Sequence, residues 1–186
     1  RNNRRTYYSV SALNSDGESS DSALIEVTPS APVADWLSPG SSVEKLAGGM
    51  IFTEGPVWNP VEGGKVIFSD INANRLYQWS FEEGLEVFRN PSENANGNTI
   101  DLDGRLITCE HRTHRLTLTL EDGSIQPLLD SHEGKRLNSP NDVVVKSDRS
   151  IWFTDPTWGL SGRKELDGQY VFRFDPTEGT SRLVAS

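Results

Sequence analysis

The strongest constraint on the fold is a group of four short apolar segments that recurs every 40–45 residues from about Val43 onward. Glu54, Asn96 and Asn141 begin equivalent segments and lie 42 and 45 residues apart. Four strands in 40–45 residues is the size of one β-propeller blade, whereas helical repeats would show a period of about 3.6 residues. The sequence therefore predicts an all-β chain with about three propeller blades. A β-sandwich with chance internal similarity is the alternative.

Each repeat predicts four strands, separated by turns rich in Gly, Asn, Asp and Pro. The longest insertion runs from Trp158 to Gly168 and follows the second strand of the third repeat. The predicted first strands cover 52–58, 96–100 and 139–144, the second 66–70, 106–110 and 151–155, the third 75–79, 115–119 and 169–174, and the fourth 85–88, 125–128 and 181–184.

Two other segments precede the repeats. Residues 1–28 alternate apolar and polar positions around the turn-forming run from Asn14 to Gly17, which predicts a β-hairpin. Residues 29–42 are rich in Pro and Ser and predict a linker. The sequence thus predicts three parts, with the blades in residues 43–186.

Composition excludes several classes of function. The chain has 18 Lys and Arg against 27 Asp and Glu, a net charge of -9, so it offers no basic stripe for nucleic-acid phosphates. No apolar run is long enough to predict a membrane span, and none follows Arg1 to Arg5 to form a signal peptide. Cys109 is the only cysteine, which excludes an internal disulfide and a zinc site built from cysteines.

The blade topology predicts where polar residues meet, because the first strand's start and the second strand's end share one edge of an antiparallel sheet. The residues at these positions are Glu54, Asn96, Asn141, Asp70, Glu110 and Asp155. We expect all six at one end of the propeller, with the first-strand set nearest the central channel. Their oxygens favour a hard cation, Ca²⁺ before Mg²⁺ or Mn²⁺. For any one of them, the alternative is a structural cap on a turn.

Other side chains are weaker candidates. His111 follows the second strand of the middle repeat and either lines the pocket or lies in a solvated loop. Trp158 opens the long insertion, where it is placed to wall a substrate pocket. Ser139 lacks a Gly-x-Ser-x-Gly elbow, so a serine nucleophile has little support. Cys109 falls within a predicted strand, which favours a buried, inert thiol.

Several of these segments resemble bacterial gluconolactonases of the SMP-30/gluconolactonase/LRE-like family. Together they extend over about residues 43–186 in the order of the family's motifs. The matching motifs are Glu54 to Trp58, Phe68 to Ile71, Asn74 to Tyr77, Asn96 to Thr99, Gly104 to His111, Arg136 to Asp148 and Trp152 to Pro156. The resemblance implies a six-bladed propeller that holds a divalent cation in its central channel and hydrolyses sugar lactones.

The resemblance also implies roles for individual residues. Glu54 corresponds to the family's metal-binding glutamate, and Asn141 to an asparagine that binds metal in some members and substrate in others. The implied cation is Ca²⁺, with Mg²⁺, Mn²⁺ or Zn²⁺ as alternatives. Two further ligands, an Asn and an Asp that also acts as acid and base, are expected beyond Ser186. Ser139 stands where animal members carry a substrate-holding arginine, so their mode of substrate binding need not apply.

The remaining candidates are implied to shape the pocket rim or bind sugar hydroxyls. They are Asp70, Asn96, Glu110, His111, Asp155 and Trp158.

A second resemblance lies near the start of the chain. Thr6 to Ser19 resembles the last two strands of a fibronectin type III domain. It implies that residues 1–28 are the C-terminal part of such a domain and that the chain is a fragment with about half a propeller. A fibronectin-like neighbour also implies a secreted or periplasmic protein.

These observations predict a metal-dependent hydrolase that acts on a small sugar lactone. The alternative is a non-catalytic carbohydrate-binding or scaffold propeller in a fibronectin-containing extracellular protein. An enzyme of the strictosidine-synthase type is disfavoured, because such enzymes dispense with the metal and Glu54 would then be idle.

Overall fold

A computed structural model describes residues 6–8, 13–14, 17–18, 25–27, 43–159 and 164–186. The chain divides into two compact units, Arg1–Lys45 and Leu46–Ser186. The predicted linker, residues 29–42, lies outside the described residues. Within the described parts, no helix is long and apolar enough to cross a membrane.

The described residues of the first unit form four short strands: β1 (Thr6–Tyr8), β2 (Leu13–Asn14), β3 (Gly17–Glu18) and β4 (Ile25–Val27). β1 pairs antiparallel with β4, and β2 pairs antiparallel with β3. In the sequence, β2 and β3 flank the predicted turn. The assignment of this unit to a fibronectin type III domain stays a prediction.

The second unit contains three four-stranded antiparallel sheets, which we call blades 1, 2 and 3. Blade 1 comprises β5 (Thr53–Asn59), β6 (Lys65–Asp70), β7 (Arg75–Ser80) and β8 (Gly84–Arg89). Blade 2 comprises β9 (Ala95–Ile100), β10 (Leu106–Glu110), β11 (Arg115–Thr119) and β12 (Ile125–Leu129). Between blades 2 and 3 lies a small hairpin of β13 (Ser131–His132) and β14 (Lys135–Arg136). Blade 3 comprises β15 (Val143–Val145), β16 (Ile151–Asp155), β17 (Tyr170–Asp175) and β18 (Thr180–Ala185).

Within each blade, the strands pair in sequence order. This meander is the arrangement that the repeat predicts, and the predicted bounds agree within one or two residues for eleven of the twelve strands. The exception is β15, which begins at Val143 and not at Ser139. There the Asn138 and Ser139 N–H groups donate to the Asp155 carboxylate, so this backbone follows a loop. The β13–β14 hairpin and a 3-10 turn at Val61–Gly63 have no counterpart in the prediction.

The core lies between neighbouring blades. Ile107, Leu116 and Leu118 of blade 2 form one buried cluster with Phe153 and Phe172 of blade 3. A smaller cluster joins blade 1 to blade 2 through Ile67, Leu76, Ala95 and Leu106. The Cys109 thiol is fully buried in the larger cluster, as its strand position predicts. Because apolar area is removed from water chiefly where blades face each other, each blade stabilises the next.

Candidate functional site

The first strands of the three blades lie side by side, close enough that only glycine fits between them. The Gly97 N–H donates to the Asn141 carbonyl at 2.7 Å. A Cβ added to Gly97 would lie 2.5 Å from that same oxygen, and a Cβ added to Gly55 would run into the backbone of Asn96. These contacts place the starts of the three strands next to one another, in the order that the repeat predicts.

A buried polar network fixes blade 1 against blade 2. The Ser69 hydroxyl donates to the Asn96 carbonyl at 2.6 Å. The Asn98 amide donates to the Gly55 carbonyl at 2.9 Å and accepts from the Thr108 hydroxyl at 2.9 Å. Asn98 was not predicted as important, although its place two residues after Asn96 on the same face of β9 is a signal for such a role. The network makes the position of the first strands rigid.

The side chains of Glu54 and Asn141 make no hydrogen bond or ion pair with the described residues. Glu54 is exposed, and within the described residues its carboxylate has no hydrogen-bond or ion-pair partner. Asn141 is half-buried. Its backbone carbonyl accepts from Gly97 and its backbone N–H donates to Thr154, while its side-chain amide has no partner among the described residues. The two residues line different cavities, of about 380 and 440 Å³.

The chemistry of these two donors fits a hard divalent cation, but their number does not complete a site. A carboxylate and an amide oxygen are the ligand types that Ca²⁺ takes, and it takes six to eight of them. Within residues 43–159 and 164–186, no group of three or more His, Cys, Asp or Glu side chains is arranged to hold a metal ion. The described residues therefore supply at most part of a cation site.

Asp70 is buried and caps the backbone that precedes β5. It is 1% exposed, and its two oxygens accept from the N–H groups of Ile51 at 2.8 Å and Phe52 at 3.0 Å. The Ala73 N–H adds a bond of 3.3 Å. These bonds fit the structural alternative, in which Asp70 is a cap, and its place on a pocket rim stays a prediction.

Glu110 is the fully buried centre of an ion network, and its place on a pocket rim stays a prediction. Arg89 bonds to one oxygen of the Glu110 carboxylate, and Arg115 bonds to the other oxygen at 2.8 Å. The hydroxyls of Thr113 and Thr117 donate as well. Burial raises the pKa of Glu110, but the hydrogen bonds from Arg89, Thr113 and Arg115 outweigh it and leave the pKa below its ordinary value. The carboxylate is ionised at neutral pH and stabilises blade 2.

Asp155 caps the loop that precedes β15, and its place on a pocket rim stays a prediction. Its fully buried carboxylate accepts from the N–H groups of Asn138 at 2.8 Å and Ser139 at 2.7 Å. Burial raises the pKa of Asp155, and those two bonds offset only part of the rise. The residue shapes the loop that leads into Asn141, so it supports a candidate ligand.

Asn96 and His111 are brought together, but away from the rim. Asn96 is 6% exposed and His111 is 7% exposed. The Asn96 Nδ2 atom lies 3.1 Å from His111 Nε2. Burial, with a smaller contribution from the charge of His114, lowers the pKa of His111, so the ring is neutral at pH 7. Both side chains are therefore interior groups that contact each other.

Trp158, which the sequence predicts as a pocket wall, has an exposed side chain. It is 67% exposed and lines the cavity of about 440 Å³ together with Asn141, Thr154 and Tyr170. The cavity thus contains one candidate cation ligand and a large aromatic wall.

Most of the chain matches one known protein family. Residues 52–186 match the SMP-30/gluconolactonase/LRE-like region. A gluconolactonase of Zymomonas mobilis is 30% identical over 176 residues, which is 83% of this chain and 49% of that protein. The chain spans about half the length of the relatives that it matches.

Solved structures give the same result. A gluconolactonase from Xanthomonas campestris superimposes with a TM-score of 0.70 and 32% identity, over 74% of this chain and 48% of that chain. A structural-genomics protein provisionally assigned as a gluconolactonase has a TM-score of 0.75 and 40% identity, over 80% of this chain and 53% of that chain. A luciferin-regenerating enzyme, with a TM-score of 0.52 and 12% identity over 89% of this chain and 50% of that chain, shares the fold alone.

Proposed function

Because the chain belongs to the SMP-30/gluconolactonase/LRE-like family, we propose that the whole protein hydrolyses a sugar lactone. The observation that carries the proposal is a pair of oxygen donors, Glu54 and Asn141, whose side chains have no partner among the described residues. They lie near the starts of the first strands of blades 1 and 3, on either side of β9. The structural caps at the second-strand ends, by contrast, have their oxygens occupied. Relatives that are gluconolactonases support the same assignment.

The proposed reaction adds water to the lactone carbonyl and breaks the ring C–O bond, which releases an open-chain sugar acid. A bound divalent cation supplies Lewis-acid polarisation of that carbonyl. In this chain, Glu54 and Asn141 would each supply one of its ligands, and Ca²⁺ would be the preferred ion. The Trp158 indole forms one wall of the pocket and excludes water from that side of the ring.

We further propose that blades 1–3 form half of a six-bladed ring. The remaining cation ligands, and the Asp that takes the proton from water, then belong to the other half. The hairpin of the first unit is proposed to be the end of a fibronectin type III domain, and the protein is proposed to be secreted or periplasmic.

The test uses the full-length protein with glucono-1,5-lactone, with proton release as the measure of hydrolysis. We expect activity that EDTA abolishes and Ca²⁺ restores. Glu54→Ala should lower kcat/KM at least 100-fold and weaken Ca²⁺ binding in calorimetry, because a charged ligand is lost. Glu86→Ala is the matched control: Glu86 is an exposed strand glutamate of the same blade, and its carboxylate accepts a hydrogen bond from the Gln78 side chain.

The outcomes separate the candidate functions. Normal lactonase activity and normal Ca²⁺ affinity in Glu54→Ala would overturn the metal role of Glu54. A full-length protein that binds the lactone without turnover would favour the non-catalytic carbohydrate-binding alternative.

A further inference from the structure

Asn96 and His111 form a buried polar pair on blade 2, and the proposed reaction assigns neither side chain a role. Nε2 of His111 and Nδ2 of Asn96 lie 3.1 Å apart, and both side chains are more than nine-tenths buried. The amide nitrogen has only protons to offer, so Nε2 accepts and the imidazole proton sits on Nδ1. The ring is therefore held in one orientation from its Nε2 side.

The opposite side of the same ring meets the insertion of blade 3. A Cβ built on Gly159 would lie 2.6 Å from His111 Nδ1, so the backbone of Gly159 rests directly against the imidazole. The ring is buried and bonded to Asn96, so it has no room to give way. Gly159 also has a φ of +68°, a conformation that favours glycine.

The residue next to this contact walls the candidate pocket. Trp158 is exposed and lines the same cavity as Asn141. A continuous path of contacts thus runs from Asn96 on β9 through His111 to Gly159 and Trp158. It joins the inner strand of blade 2 to the pocket wall carried by blade 3.

We propose that His111 is a positioning residue: Asn96 fixes the imidazole, and the imidazole sets the height of the Trp158–Gly159 segment over the cavity beside Asn141. This inference rests on the proposed lactonase function, because it takes the occupant of the cavity to be a sugar lactone. The Trp158 indole is a large rigid face, suited to the C–H face of a lactone ring. A neutral ring suits the role, since the lowered pKa of His111 prevents a buried charge near neutral pH.

The first test compares two glycine substitutions in the full-length protein. Gly159→Ala and Gly179→Ala both place a methyl group on a left-handed residue, with φ of +68° and +66°. The Gly159 methyl meets the His111 ring, whereas the Gly179 methyl has no atom within 4 Å. We expect KM for glucono-1,5-lactone to rise about fivefold in Gly159→Ala with kcat within about twofold, and both constants to stay unchanged in Gly179→Ala.

A spectroscopic measurement tests the geometry without relying on turnover. In protein labelled with 5-fluorotryptophan, the Trp158 resonance is assigned by Trp158→Phe. We expect this ¹⁹F resonance to shift in Gly159→Ala and in His111→Ala, and to stay in place in Gly179→Ala. We expect KM to rise in His111→Ala. In His111→Gln, the amide oxygen reaches the Asn96 donor, so this variant should show less than half of that rise.

The two contacts should also be coupled. Once the imidazole is removed, the methyl group added at Gly159 has no ring to contact. Gly159→Ala should therefore raise KM by a smaller factor in the His111→Ala background than in the wild type. His132→Ala is the control for loss of a histidine, since His132 bonds to Ser181 and packs on Phe172 away from the cavity.

The results distinguish this inference from the function on which it rests. Wild-type protein without lactonase activity overturns the proposed function and, with it, the substrate role of the segment. Active wild type with an unchanged KM and an unchanged Trp158 resonance in Gly159→Ala overturns the positioning role alone. If His111→Ala fails to fold, the Gly159→Ala and Gly179→Ala pair still decides the question.

Discussion

At the scale of single residues, the structure separates two kinds of acidic and amide side chain that look alike in sequence. Asp70, Glu110 and Asp155 are buried and hydrogen-bonded, whereas the side-chain oxygens of Glu54 and Asn141 have no partner among the described residues. The buried carboxylates are directed at backbone N–H groups or at arginine and threonine side chains. The free oxygens are therefore the better guide to the proposed cation site.

Glu110→Gln is expected to destabilise the protein strongly at neutral pH. Removing one charge of a buried ion network leaves Arg89 and Arg115 without their counter-ion, which typically costs about 3–5 kcal/mol. The measurement is urea unfolding of the full-length protein. Glu86→Gln, at an exposed site, should change the free energy of unfolding by less than about 0.5 kcal/mol.

The same residue gives the stability a pH dependence of defined sign. The pKa of Glu110 lies below its ordinary value of 4.5 in the folded protein, because Arg89, Thr113 and Arg115 bond to the carboxylate. The folded state therefore gains stability from this group above pH 4.5, and loses it as the pH falls through the folded pKa. In unfolding curves between pH 7 and pH 3, the wild type should lose more stability than Glu110→Gln. Equal slopes for the two proteins would contradict this assignment.

At the scale of elements, the third blade differs from the other two at its first strand. Asn138 and Ser139 turn their N–H groups to Asp155, so the chain reaches Asn141 from a loop and β15 is only three residues long. This loop also carries the His114 contact to the Asn138 carbonyl. Side-chain caps thus replace strand pairing at Asn138 and Ser139, and backbone bonds to Thr154 of β16 resume at Asn141.

Asp155→Ala should loosen this loop before it affects the sheets. Two buried N–H groups lose their acceptor, at a cost of about 1–3 kcal/mol each. Hydrogen exchange should become faster at the Asn138 and Ser139 amides, while the amides of β10 and β11 keep their protection. Asp155→Asn retains one acceptor oxygen and should fall between Asp155→Ala and the wild type. Unchanged exchange at these two amides in Asp155→Ala would show that the caps do not hold the loop.

At the scale of the whole molecule, the close approach of first strands decides how blades meet. A Cβ on Gly97 would lie 2.5 Å from the Asn141 carbonyl and 2.6 Å from the Cα of Asp142. Both obstacles are backbone atoms, which have no rotamer to change. The spacing of blades 2 and 3 therefore depends on this glycine.

Gly97→Ala should accordingly lower the melting temperature more than Gly84→Ala does. Gly84 has a φ of +71° but open space around its Cβ position, so its substitution costs only backbone strain, about 1 kcal/mol. Gly97→Ala must separate two blades. Thermal unfolding of the two variants decides the matter, and an equal or smaller loss in Gly97→Ala would mean that the blades shift freely.

The sequence by itself determined the all-β class and the three four-stranded units, because strand periodicity and turn residues are local properties that repeat every 40–45 residues. It also predicted Glu54, Asn96 and Asn141 at equivalent strand starts; in the structure Glu54 and Asn96 are the second residues of β5 and β9, and Asn141 precedes β15. The fibronectin-like segment and the cation remain predictions.

Only the tertiary structure decided which polar side chains are free. The burial of Glu110 depends on Arg89 from the last strand of blade 1, and that of Asp155 on a loop whose backbone turns toward it. The contact between His111 and Gly159 joins residues 48 positions apart on different blades. Side-chain exposure and partners are set by packing between blades, which a local pattern in the sequence does not contain.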